Sequence, residues 1–280
     1  MAYEKLGAMP LDYMPCRYGA SKLLFRGPKR DLAGRYVAFL GGTETYGKFI
    51  RQPFAALVEA DLDVPCVNFG WPNAGIDVLL HDGDIIAAAS KAEVTVLQVL
   101  GAQNMSNRYF TVHPRRNDRF VQASPLLRAI FPEVDFTEFH FTRHMLGCLA
   151  ALAPDRFGVV RRELQDAWIA RQKLLLRRIE GRILLLWIAA HAPQDRADSP
   201  GISSDPSFVT RAMLSAVQRP DVDLIEVVHG APRCGRDTEG MAFSQFEANA
   251  AAEVPGAAAH KAAATALLPA LRAAFGAASA

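Results

Sequence analysis

"VAFLGGTETYG", Val37 to Gly47, sets an unbroken apolar run against two glycines, two threonines around a glutamate, and a third glycine. An apolar run of this length without polar alternation suits a strand covered on both faces, as in a parallel sheet. A turn of glycines and short polar residues lets that strand pass into a helix, with Thr43 or Thr45 as its cap. The same residues place hydroxyls and backbone amides at a carboxyl strand end, where open α/β sheets bind ligands.

The run "RYVAFL" (35–40) is joined by "DVPCVNFG" (63–70), "VTVLQVLGA" (94–102), "RILLLWIAA" (182–190) and "VDLIEVV" (222–228). Helical stretches follow them at 46–60, 75–91, 124–180 in several pieces, 205–218 and 257–275. This alternation predicts an α/β chain with a flavodoxin-like, doubly wound, five-stranded parallel sheet. Residues 1–280 are read as a single α/β domain. An arm covers 1–34, and a loop with a helical insertion covers 103–180, before the fourth strand. Long insertions of this kind are usually functional loops or lids. The Ala-rich tail favours helix and, from its apolar spacing, is expected to dock on the sheet.

The 280-residue chain is half hydrophobic and about one-fifth charged, so it can bury a full core without staples. A net charge of +2 gives no global drive toward nucleic acid or membrane, so any basic site is local. The beginning of the chain lacks the apolar core of a secretory signal, and "ILLLWIAAHAP" is too short to span a bilayer. Cys16, Cys66, Cys148 and Cys234 show no CxxC spacing, which is neither a zinc pattern nor a disulfide frame. A soluble, cytoplasmic protein with reduced thiols is the simplest expectation.

Three turns after the first three strands are rich in small residues, hydroxyls and amides. They carry Gly41 to Thr45, then Asn68, Gly70 and Asn73, then Gly101, Gln103, Asn104, Ser106, Asn107 and Arg108. Such an inventory supplies oxyanion or phosphate donors and a hydroxyl nucleophile. Here the sequence resembles the SGNH (GDSL-type) hydrolases and acyltransferases, as a divergent offshoot similar to a bacterial family of unknown function. "LGGTETYG" aligns with the Gly-Asp-Ser block through Gly41, Gly42 and Thr43, with Gly47 as its later glycine. Gly70 stands at the oxyanion glycine of the second block, and Gly101 with Gln103 and Asn104 at the third. His260 in "AAAH" stands at the histidine of the last block, with Ala257 at the aspartate position. The resemblance implies an esterase or acyltransferase in which Thr43 attacks and His260 is the base. It implies that the amides of Thr43 and Gly70, with Gln103 or Asn104, hold the oxyanion. Glu253 or another acid would orient His260, and no cofactor is required.

Around these, Glu44, Asn73 and Asn107 are candidate substrate contacts. "RYFTVHPRRNDRF" adds Arg108, His113, Arg115, Arg116 and Arg119, whose guanidinium forks suit phosphate, sulfate or carboxylate. That points to a small or carbohydrate substrate of anionic character, with no nucleic-acid or membrane partner. Solvated arginines paired with nearby acids are the plain alternative. His140 and His144 share one helix face, yet HExxH and a third ligand are missing, so no metal site is expected. "WIARQKLLLRRI" is read as an amphipathic helix with its basic side in water. Two other functions stay open on the same cleft: anionic-ligand binding without turnover, and phosphoryl or sulfuryl transfer through the arginines.

Overall fold

A computed structural model describes residues 11–194, 202, 204–230 and 238–277. Residues 1–10 of the expected arm and Cys234 lie outside the described residues. All five expected sheet strands are present: β1 (Val37–Gly41), β2 (Cys66–Gly70), β3 (Val94–Gln98), β6 (Arg182–Ala189) and β7 (Val222–Val228). They run parallel in the order β2-β1-β3-β6-β7. This is the doubly wound order in which the winding reverses between β1 and β3.

The continuous apolar runs are explained by two cores, because alternate side chains leave opposite faces of a strand. Val37, Phe39, Val94, Val96, Leu184, Leu186 and Ile188 pack under α2 (Phe54–Leu62) and α10 (Ala257–Ala277). Ala38, Leu40, Leu97, Ile183, Leu185 and Trp187 face the larger core on the other side. That face is covered by α3 (Ile76–Leu80), α4 (Gly83–Lys91), α7 (Pro154–Arg178) and α8 (Arg211–Val217). The Ala-rich tail docks as expected, burying Ala263, Ala264, Leu267 and Leu271.

The connection after β3 differs from the expected loop. It folds into an antiparallel hairpin, β4 (Phe110–His113) and β5 (Arg116–Ala123). Asn117 explains why: fully buried, its amide oxygen accepts the N–H groups of Gly75 and Val78, and its nitrogen donates to the His113 carbonyl. The hairpin is therefore pinned to the start of α3, and Trp71 Nε1 donates to the Arg115 carbonyl at 2.7 Å. α5 (Pro125–Ile130) and α6 (Thr142–Leu152) complete the insertion before α7. α7 is not simply basic toward water. Arg171 pairs with buried Asp77, Arg178 donates to the Leu80 carbonyl, and fully buried Trp168 donates to the Leu100 carbonyl at 2.7 Å. These contacts hold the loop after β3 in place.

Candidate functional site

The opening turn becomes α1 (Thr43–Tyr46), whose amino end is Gly42, with no side-chain cap. Gly47 closes it at φ +70°, a left-handed backbone that favours glycine, and a side chain there would strike Pro53. The polar turn is stabilised by a residue on the neighbouring strand. Gln98, at the end of β3, accepts through Oε1 from the Gly42 amide at 2.9 Å, the Thr45 amide at 3.2 Å and the Thr45 hydroxyl at 2.6 Å. Gly41 leaves room for this, since a Cβ there would lie 2.1 Å from Thr45 Oγ1 and 2.5 Å from Gln98 Oε1. From below, buried Arg26 donates to the carbonyls of Tyr46, Gly47, Ile50 and Arg51.

Above this turn lies a cleft of about 560 Å³, at the carboxyl edge between β1 and β3. Gly42, Thr43 and Glu44 form one wall, and Gln98, Gly101, Gln103 and Asn104 another. Asn73, Asp118, Phe141–His144, Asp205 and Glu253 close it, and it continues into a larger recess that also holds Thr43, Glu44 and Glu253. The Thr43 hydroxyl accepts the Asn73 N–H at 2.9 Å and lies 3.4 Å from Asn73 Oδ1. Glu44 Oε2 accepts from Gln98 Nε2 at 2.6 Å. Burial, and next the nearby Asp205, raise the Glu44 pKa above the usual carboxylate range. Asp205 accepts from Gln103 Nε2 at 3.1 Å and Arg143 Nη2 at 2.5 Å. Asn104 Oδ1 accepts the Thr142 hydroxyl at 2.7 Å.

A model of the domain of unknown function DUF6473 matches residues 1–275. The chain belongs to the DUF6473 family. No curated protein shows significant similarity to it. Among solved structures, it is similar to a family two carbohydrate esterase from Clostridium thermocellum in complex with cellohexaose. There the identity is 12%, the TM-score 0.44, and 91% of this chain and 68% of that one are covered. A lipase from a goat rumen metagenome shares 14% identity at TM-score 0.39, over 86% of this chain and 97% of the other. A putative lipolytic protein of the G-D-S-L family from Desulfitobacterium hafniense DCB-2 shares 11% at TM-score 0.35, over 84% and 100%.

In this DUF6473 chain Thr43, Glu44, Asn73, Gln103 and Asn104 line one cleft. Other expected residues do not join them. His260 sits 1% exposed in the first turn of α10, where its Nδ1 accepts the Phe54 N–H at 3.2 Å and its ring stacks on Phe54. Burial, followed by the charge of Arg26 and then His229, pushes its pKa down to about 3. It lines neither recess and makes no hydrogen bond to Thr43. The Gly70 amide donates to Asn68 Oδ1 at 2.8 Å, so it is not directed at an oxyanion.

The arginine loop is likewise structural. Arg108 pairs with Glu163 outside the cleft, Arg116 faces Asp118 at 3.9 Å, and Arg119 stacks on the Phe141 ring. Arg115 contributes its carbonyl to Trp71. His113 Nδ1 accepts the Arg115 and Arg116 amides across the hairpin turn, and Asn107 Oδ1 accepts those of Tyr109 and Phe110. None of these six residues lines the cleft, so the loop sets no arginine clamp there. Sequence reasoning missed Gln98, hidden in a run that reads as a plain core strand, and Asp205, which carries no motif. A glutamine closing an otherwise apolar strand was the available signal for Gln98.

Proposed function

We propose that this chain is an ester hydrolase or acyl transferase whose attacking oxygen is Thr43 Oγ1. What supports the reading is one juxtaposition: a hydroxyl fixed by Asn73 at the end of β1 shares a cleft with the Glu44 carboxyl, whose proton affinity as a base is raised by burial. Thr43 Oγ1 adds to the ester carbonyl carbon while its proton passes to ionised Glu44. The ester C–O bond then breaks, and the alcohol departs with that proton. Water or a second alcohol attacks the acyl-threonine in turn, losing its proton to Glu44 and restoring the Thr43 hydroxyl. The Thr43 N–H, which meets no acceptor among the described residues, is the donor offered to the developing oxyanion.

The test is turnover of p-nitrophenyl acetate and of acetylated saccharides. Thr43→Ala and Glu44→Gln are expected to lose about 10²- to 10⁴-fold, the range of general acid–base contributions. Thr43→Ser is expected to retain activity, because it keeps the oxygen and drops the methyl that restricts the rotamer. Wild-type rates in Thr43→Ala would end this reading. A second reading, ligand binding without turnover, is favoured by the seat of His260 on Phe54, away from the cleft. Saturable binding with only background hydrolysis by the native protein would establish it instead.

A further inference from the structure

The donors around the cleft are nearly all turned inward. Gln98 Nε2 goes to Glu44, Gln103 Nε2 to Asp205, the Thr142 proton to Asn104, and Asn73 Nδ2 to Asp118 at 3.4 Å. Arg143 is held by Asp205 and the Ile202 carbonyl. The acceptors are in a different condition. Gln103 Oε1 and Asp118 Oδ1 are buried and receive no hydrogen bond. The orientation of the Gln103 amide is fixed by its partner: a carboxylate only accepts, so the nitrogen faces Asp205 and the oxygen faces away. Gln103 itself is 5% exposed, and its oxygen occupies the hollow over Gly101, where a Cβ would come within 2.1 Å. Both Gly101 and Gln103 line the cleft.

Buried acceptors without donors cost free energy, and a ligand that brings donors relieves it. A carboxylate group brings none of its own, and here it would also meet the carboxyl groups of Asp118, Asp205 and Glu253. Phe141, 43% exposed, adds an apolar face at the rim. We infer that the cleft takes an uncharged, hydroxyl-rich ligand of the sugar or polyol class, whose hydroxyls donate to Asp118 and Gln103. This deepens the ester-handling reading by naming the alcohol part of its substrate, and it rests on the same cleft being the working site.

The experiment is calorimetric titration of the full chain with maltotriose, cellotriose and xylotriose as neutral probes, and with trigalacturonate as the anionic one. At least one neutral probe is expected to saturate, to bind at least tenfold more tightly than trigalacturonate, and to change little with salt. Asp118→Asn and Gln103→Met are each expected to weaken that probe about tenfold, with thermal melts reporting whether the fold is kept. Tighter binding of trigalacturonate, or no saturable signal from any neutral probe, overturns the inference. Should a variant fail to fold, the wild-type preference between neutral and anionic probes still decides. Because binding is read without turnover, failure of the esterase reading would appear separately, as silence in the p-nitrophenyl acetate assay.

Discussion

Gln98 Oε1 accepts the Thr45 hydroxyl at 2.6 Å, across the gap between β3 and the turn that follows β1. One side chain thus satisfies two backbone amides and a hydroxyl of the site turn, while its nitrogen holds Glu44. A buried hub of this kind rigidifies the groups it joins, because each partner would be costly to leave unpaired.

Replacing Gln98 by Leu leaves those donors stranded. We expect a loss of about 2–4 kcal/mol in denaturant unfolding, at 1–3 kcal/mol per unsatisfied buried group with partial relaxation. Gln98→Glu is the informative companion, since it removes the donor to Glu44 and sets a second carboxyl beside it. The acid limb of the pH–rate profile should then move to higher pH. A Gln98→Leu protein within about 0.5 kcal/mol of wild type, the range of an ordinary surface change, would contradict the hub.

His260 makes a prediction about acid stability. Its folded pKa of about 3 lies below that of a free histidine, near 6.5, so below that value the unfolded chain takes up a proton the native state refuses. The stability tied to this residue is therefore complete above about pH 6.5 and declines toward pH 3, by at most about 1.4 kcal/mol per pH unit. His260→Gln keeps an acceptor available for Phe54 without a titrating ring, and it should flatten that slope by one proton. Ester turnover should stay within a few-fold of wild type. Abolished turnover in a folded His260→Gln protein would restore the imidazole to the reaction.

Arg26 supports the turn from beneath, giving hydrogen bonds to four carbonyls of residues 46–51 while only 7% exposed. Arg26→Met should cost about 2–4 kcal/mol, because several buried carbonyls lose a charged donor. Arg26→Lys should recover only part of this, since an ammonium lacks the planar fork that spans both pairs. Hydrogen exchange at Gly47 and Ile50 would show the loosening directly, and unchanged protection there would argue against the role.

The fold was readable because it depends on local pattern. Continuous apolar runs of five to nine residues, bounded by turn residues, suit strands buried on both sides, and the apolar spacing of the Ala-rich tail suits docking on the sheet. The hairpin β4–β5 was hidden, since β5, RNDRFVQA, is mostly polar and the pair is anchored by distant contacts, Asn117 reaching back to residues 75 and 78 and Trp71 to the Arg115 carbonyl. Its arginines looked like an anion clamp because composition records charge without direction.

The five-stranded layering and the carboxyl-edge location of the Thr43 turn follow from periodicity and glycine placement along the chain, and so were legible before folding. Which distant residues share that edge was settled by packing. It brought Gln98, Asp118 and Asp205 to Thr43 and Glu44, and it seated His260 against Phe54. Contacts of this kind depend on packing and side-chain direction across many residues of separation, and those are fixed only when the layers close.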